Sequence, residues 1–423
     1  MKDIKILPGL LKGDIKIPPS KSLCHRAIIA AALAHGQSII SNVVLSEDIL
    51  ATIGGVRALG AIVTINQDQL IIEGCRLESS QNCIIDCNES GSTLRFLMPI
   101  SLLSNNAVSF VGRGNLSSRP LEPYIEIFKE QDIFYSDTSL PMTIKGCLNH
   151  GIFKLKGSIS SQFITGLMFA LPLLEEDSTV LITEPLESKS YIDLTIDVLN
   201  SFGISIINNN YKSFFIKGKQ EYKNTLYTVE GDYSQAAFWL AAGALGGDVS
   251  CTGLSQNSKQ GDRAILQLLK TAGACIEISD SHIKAEPLAL QAFEIDISQC
   301  PDIAPILAVI AALSEGTSKI TGAARLRIKE CDRLKAITTE LNKLGAQVFE
   351  EKDSLTINGM RRLRGGDVTS WGDHRIAMAL AIAAIKCEEP VMIHNSNAVD
   401  KSYPNFFDDY KMLGGILLER NMG

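Results

Sequence analysis

The feature that most constrains this chain is a segment that recurs six times at a spacing of about 70 residues. In each copy a helical stretch gives way to a β-like run through Leu-Gly-Ala or a near relative. The copies are RALGAIVTI around Gly60, FKEQDIFYS around Gln131, LNSFGISII around Gly203, LKTAGACIEI around Gly273, LNKLGAQVFE around Gly345 and KMLGGILLE around Gly414. Their centres lie 69 to 72 residues apart. A glycine there predicts a helix ending in a left-handed C′ residue, with a strand starting at once. One such glycine says little. Several in phase, with one degenerate copy at Gln131, specify an architecture of six equal units.

A second marker keeps the same phase. Each unit holds a polar start followed by an apolar helix: SKSLCHRAIIAAALAHG, SGSTLRFLMPISLL, SSQFITGLMFALPLL, DYSQAAFWLAAGAL, PDIAPILAVIAALSEG and GDHRIAMALAIAAI. Ser20, Ser90, Ser160, Asp232, Asp302 and Asp373 stand at or near the starts, where a side-chain oxygen can accept an orphan backbone N–H. The bodies are apolar nearly all round, which predicts helices buried on every side. Six units of strands plus a buried helix predict an α/β fold with helices inside and sheets outside, three repeats in each of two domains. The alternative is a six-repeat solenoid, a non-catalytic scaffold, but solenoids need polar capping repeats and usually have shorter units.

Composition narrows the function classes. The net charge of −7 argues against a nucleic-acid partner, so any anion must be held by local basic groups. Ten cysteines are scattered singly, with no CxxC pair and no histidine at metal-ligand spacing, so neither a metal nor a disulfide framework is expected. Reduced thiols and the absence of an apolar run after the first charges predict a cytoplasmic location. Apolar stretches such as IAMALAIAAI are about ten residues long, too short to cross a bilayer of ~30 Å, so no membrane partner is expected.

Cations at buried helix starts are the chemical signal. A helix N-terminus already carries free N–H groups and partial positive charge, so Lys or Arg beside it is unfavourable unless an anion binds. Lys21 and Arg26 open the first helix, Arg95 the second, and His374 and Arg375 the last. A lysine or arginine on a helix is usually solvated; against apolar bodies that reading weakens, and these sites suit phosphate or carboxylate. PPSKSLCHR lacks the GxxxxGK[ST] pattern of a nucleotide phosphate loop. NESGSTLR offers hydroxyls and a close backbone approach at Gly91. Arg119 precedes Pro120 and so should be extended, on a loop. Ser160, Ser161 and Gln162 head a third helix, and SKSYID contributes Ser188 and Tyr191, for which plain capping or structural roles are the alternatives. RLRIKECDRL places Arg325, Arg327, Lys329, Glu330, Asp332 and Arg333 together, by default a solvated helix face. Glu330 and Asp302 are acid/base candidates, since a carboxyl desolvated in a closed cleft can hold a proton near neutrality. Lys401 precedes a segment ended by Pro404.

These motifs in this order resemble the 5-enolpyruvylshikimate-3-phosphate synthase family of enolpyruvyl transferases. The likeness runs from PPSKSLCHRA to VDKSYPNFF through GSxxxR, SSQF, SxxYID, PDIAP, KExDRL and DHRxAMA, nearly the whole chain. It implies a two-domain inside-out α/β barrel, one domain formed by residues 1–18 with 228–423 and the other by 19–227, with the active site in the cleft between them. It implies enolpyruvyl transfer from phosphoenolpyruvate to the 5-hydroxyl of 3-phosphoshikimate, without metal or cofactor, by a monomer whose partners are these small molecules. By position, Lys21, Ser22, Arg26, Ser160, Ser161, Gln162, Ser188, Asp302, Arg325 and Lys329 would meet 3-phosphoshikimate. Lys21, Gly91, Arg119, Gln162, Arg333, Arg375 and Lys401 would meet phosphoenolpyruvate. Asp302 would be the base for the 5-hydroxyl and Glu330 the acid/base at the methylene carbon, with Lys21 also catalytic. Arg95, Tyr191, Asp373 and His374 would support them. Two positions depart from the family pattern: Glu89 replaces a neutral amide, and Arg325 stands where relatives often have Asn. The sister enzyme acting on UDP-N-acetylglucosamine is the nearest rival; it favours Lys-Asn at the first motif and a loop cysteine, whereas here Lys21 is followed by Ser22 and RGNLSSRP has no cysteine.

Overall fold

The computed structural model describes residues 2–75 and 83–421. Its contacts divide the chain into two compact units, Met1–Pro18 with Gly231–Gly423, and Pro19–Glu230. Each has its own apolar core. Among the described residues there are six four-stranded sheets of mixed direction, three in each unit.

One repeat shows the pattern of all. Strand Cys83–Asp86 leads into helix Gly91–Ser101 and strand Val108–Val111, then helix Glu122–Glu130 and strands Phe134–Tyr135 and Met142–Lys145. The first two strands are parallel, as a helical crossover allows, and the remaining pairings are antiparallel. The repeats Ile152–Ile216 and Glu294–Asn358 are wired identically.

The other three repeats borrow a strand from elsewhere in the chain. Lys12–Lys16 runs parallel to Asp248–Thr252, and Leu226–Thr228 runs parallel to Gln37–Ser41. Lys2–Ile6 lies between Val391–His394 and Leu417–Asn421. Leu226–Thr228 pairs inside the inserted unit, which the chain leaves after Glu230.

The core helices are Lys21–Leu33, Gly91–Ser101 and Ser161–Ala170 in one unit, and Tyr233–Ala244, Ala304–Ala312 and His374–Ala383 in the other. Every residue of the last three is buried, so these helices have no solvent face. None of the described helices is long and apolar enough to cross a membrane. The repeat glycines Gly60, Gly203, Gly273, Gly345 and Gly414 have φ of 108°, 83°, 96°, 92° and 87°, the left-handed turn that ends a helix without a Cβ penalty. In the degenerate copy the left-handed residue is Asp132 (φ 54°), one place after Gln131; aspartate tolerates that region better than most residues.

Four of the six polar helix starts cap as expected: Ser90, Ser160, Asp232 and Asp373 accept from Thr93, Gln162, Ser234 and Arg375 N–H groups. Two do not. Ser20 occupies the N-cap without a side-chain cap bond, and its N–H donates to the Glu230 carbonyl at 2.8 Å. Asp302 lies in a 3-10 turn, Pro301–Ile303, ahead of the helix, because cations engage its carboxylate.

The first strand is tied by Asp3, whose Oδ2 lies 2.8 Å from His394 Nδ1 and whose Oδ1 accepts the Asn395 N–H at 3.2 Å. The His394 bond, opposed by burial, holds this carboxyl below its usual 3.8. A depressed carboxyl pKa stabilises the fold above the unfolded value, and this contribution disappears as pH falls through the folded value. The melting-temperature gap between wild type and Asp3→Asn should therefore close as pH falls below 3.8. A gap that persists in acid would reject the tie.

Candidate active site

In the inserted unit three helix starts carry the polar groups. Lys21 Nζ donates to Asp48 Oδ2 at 2.6 Å, and Asp48 belongs to the neighbouring helix Glu47–Ala58. One turn further along that helix, Thr52 Oγ1 is 2.7 Å from His25 Nδ1 and 2.6 Å from Thr93 Oγ1. The Thr93 hydroxyl donates to Ser90 Oγ at 2.7 Å. A buried chain of hydroxyls thus joins the starts of the first and second core helices. Burial, with Lys21 and Arg26 nearby, pushes His25 well below its ordinary value, so the ring is neutral at pH 7.

Arg26 is 2% exposed and fixed on all sides. It donates to Thr195 Oγ1 at 2.8 Å and to the Ser22 and Tyr191 carbonyls at 2.7 and 3.1 Å. Phe96 and Tyr191 rings lie 5.1 and 5.9 Å from its guanidinium carbon. Burial lowers it to about 10, so it keeps its charge at neutral pH. Ser188 is buried with φ 53° and precedes helix Lys189–Ser201, which carries Tyr191.

Gly91 opens the second core helix, where four polar groups converge. Arg95 donates to Gln162 Oε1 at 2.7 Å, and Gln162 Nε2 donates to Ser92 Oγ at 2.9 Å. A Cβ added at Gly91 would stand 2.8 Å from an Arg119 nitrogen, 3.1 Å from an Arg95 nitrogen and 3.6 Å from Gln162 Oε1. Arg119 is extended (φ −76°, ψ 139°) behind a short 3-10 turn, Gly114–Ser118, that the sequence reading treats as plain loop. Ser160 and the buried Ser161 head the third core helix beside Gln162.

The other unit gathers its groups around one arginine. Arg333 has a side chain 1% exposed and donates to Asp302 Oδ1 at 2.9 Å, Glu330 Oε2 at 2.6 Å and Asp373 Oδ2 at 2.8 Å. Burial opposes its charge, yet Asp373, Glu330 and Asp302 together hold it well above its usual value. Asp302 also meets Lys329 at 3.1 Å and Arg375 at 3.5 Å. Burial lowers Lys329, with Arg325 and Arg333 adding to the shift and Asp302 opposing it. Lys401 donates to the Gly372 carbonyl at 2.7 Å, at the turn before Asp373, the buried His374 and Arg375. RLRIKECDRL is not a solvated helix face: Ala324–Ile328 is a 3-10 turn and the helix begins only at Arg333, which points inward. Within it Arg327 pairs with Asp332 at 3.0 Å and with Glu350 at 3.5 Å.

Sequence reasoning misses Asp48, Thr52, Thr195 and Asp262. Asp262 accepts from the Ser234 hydroxyl and is pushed up to about 7 by burial first and then by Asp302. All four lie on the second helix or turn of their repeats, where one acid or threonine carries no pattern.

Two carboxylates, Asp302 and Glu330, accept from the two terminal nitrogens of one guanidinium. Around them stand Lys329 and Arg375. Such a set can move protons at two neighbouring points while fixed cations neutralise anionic reactants.

The family model for EPSP synthase (3-phosphoshikimate 1-carboxyvinyltransferase) matches residues 7–410. A Clostridium perfringens protein named 3-phosphoshikimate 1-carboxyvinyltransferase is 55% identical over 421 residues, covering 99% of both chains. Its Clostridium acetobutylicum namesake is 55% identical, covering 100% of both. The structure of EPSP synthase from Acinetobacter baumannii superposes with a TM-score of 0.83 at 24% identity over 100% of both chains. The enolpyruvyl transferase NikO from Streptomyces tendae gives 0.81 at 16%, over 100% of this chain and 99% of its own. The structural likenesses speak to the fold alone; the match over residues 7–410 and the whole-length 55% identities establish that the chain belongs to the EPSP synthase family.

Proposed function

We propose that this chain moves the enolpyruvyl group of phosphoenolpyruvate to the 5-hydroxyl of 3-phosphoshikimate and releases inorganic phosphate, within the shikimate route to aromatic amino acids. The observation that carries the reading is the Arg333 fork, which seats Asp302 and Glu330 side by side among cations. In this reading Asp302 takes the proton of the 5-hydroxyl as its oxygen bonds to C2 of phosphoenolpyruvate. Glu330 gives a proton to the methylene carbon and then removes one as the C2–O bond to phosphate breaks. Lys21, Arg119, Arg333, Arg375 and Lys401 neutralise the charge of phosphoenolpyruvate. Ser22, Arg26, Ser160, Ser161, Ser188, Arg325 and Lys329 hold 3-phosphoshikimate, and Gln162 touches both. Phosphate release from phosphoenolpyruvate should require 3-phosphoshikimate as acceptor. Release only with UDP-N-acetylglucosamine would transfer the chain to the sister reaction, and none with either would sink the enzyme reading.

Gly91 offers a sharp check. An added methyl would press on the ends of two flexible arginines rather than on backbone. Gly91→Ala should therefore fold normally and raise the KM for phosphoenolpyruvate several-fold, with the KM for 3-phosphoshikimate nearly unchanged. Equal changes in both would contradict the assignment.

The reading needs both groups of residues at one pair of ligands, although they belong to different units. Anions shared by cations of both units would favour a closed arrangement. Small-angle scattering should show a smaller radius of gyration when 3-phosphoshikimate is added, with the mass of a single chain. An unchanged radius would count against the shared site. A reducing cytosol suits ten cysteines of which none forms a disulfide among the described residues.

A further inference from the structure

Glu340 is a carboxylate buried to 1% exposure, and the proposed reaction gives it no task. A buried charge of this kind is costly unless its oxygens are fully engaged. They are: Oε2 accepts the Thr369 N–H at 3.0 Å, Oε1 accepts the Trp371 indole N–H at 2.7 Å, and Lys343 Nζ lies 2.9 and 3.0 Å from the two.

The segment it grips is unusual. Strand Gly366–Thr369 turns into helix His374–Ala383 through Trp371 (φ 55°) and Gly372 (φ 66°). A tryptophan in the left-handed region is strained and persists only where its surroundings over-determine it. The carbonyl of Gly372 holds Lys401 at 2.7 Å, and the next residue, Asp373, holds Arg333 at 2.8 Å and caps the Arg375 N–H at 2.8 Å. Glu340 lies seven residues after Arg333 on the helix Arg333–Lys343, so the two share one inward face. That helix therefore grips the turn from both ends.

We infer that Glu340 is a positioning residue: by clamping the Thr369–Gly372 turn it sets where Lys401, Asp373 and Arg375 stand. Its kinetic consequence rests on the proposed reaction, in which Lys401 and Arg375 serve phosphoenolpyruvate. Glu340→Ala removes the clamp. Trp371→Phe removes only the indole donor and leaves Thr369 and Lys343 engaged, so it tests the same contact in a chain that still folds. Glu340→Gln keeps one accepting oxygen and should fall between.

Steady-state kinetics on the full chain should show the KM for phosphoenolpyruvate rising roughly tenfold in Glu340→Ala and several-fold in Trp371→Phe, while kcat and the KM for 3-phosphoshikimate stay within about twofold. An unchanged phosphoenolpyruvate KM would overturn the inference. So would equal worsening of both KM values in step with melting temperature, the mark of a merely structural residue. A wild type that releases no phosphate would defeat the functional reading separately. The clamp is then judged by hydrogen exchange over residues 366–376: faster exchange in Glu340→Ala supports it, and unchanged exchange overturns it.

Discussion

Asp302→Asn is expected to lower kcat by a hundredfold or more while the KM for phosphoenolpyruvate moves only a few-fold. General-base catalysis contributes roughly 10²–10⁴ in rate, and an amide of the same shape cannot supply it. The binding side should survive for a geometric reason. Asparagine keeps an oxygen where Asp302 Oδ1 accepts from Arg333 and Lys329 at 2.9 and 3.1 Å. Arg333 also keeps Glu330 and Asp373, so the fork does not swing away. Lost phosphoenolpyruvate binding with intact turnover would show that Asp302 is an anchor for the cations and not the base.

The second large effect concerns stability. Arg333→Met should cost about 3–5 kcal/mol, because it strands the fully buried Asp373 and leaves Glu330 and Asp302 without their shared cation. For a unit of this size that corresponds to a fall in melting temperature of order 10 °C. Arg333→Lys should recover part of the loss, since an ammonium restores the charge but cannot fork to three partners. A variant with Met at 333 that melts like wild type would mean the three carboxylates do not depend on this cation.

How much of this was legible beforehand depended on whether a residue repeats. Gly60, Gly203, Gly273, Gly345 and Gly414 recur in phase because each repeat must end a helix against a strand, and periodic demands leave periodic traces. The apolar core helices are legible for the same reason. Asp302 was singled out as polar at a helix start, but local sequence could not say that cations 27 and 31 residues away would outbid the backbone N–H groups for its carboxylate. Lys21 was visible and its partner Asp48 was not, since the contact is made between two helices. Glu340 reads as an ordinary surface acid beside Lys343. Only the turn that folds over it, some 30 residues on, makes it a buried clamp. Of the borrowed strands, LYT at 226–228 carries no mark of which sheet receives it.

That borrowing sets a timetable for synthesis. The inserted unit Pro19–Glu230 is complete once its last strand leaves the ribosome, and its core needs nothing made later. The unit around it cannot close so early, because Lys12–Lys16 must wait for Asp248–Thr252 and Lys2–Ile6 for the strands ending at Asn421. At ~5–20 residues per second, the first strand spends some tens of seconds as an unpaired edge. Its sequence KDIKI, like KGDIK after it, carries charges among its apolar residues, a composition that discourages edge-to-edge aggregation. The charges of Lys2–Ile6 thus protect a strand whose partners, Val391–His394 and Leu417–Asn421, are made long after it.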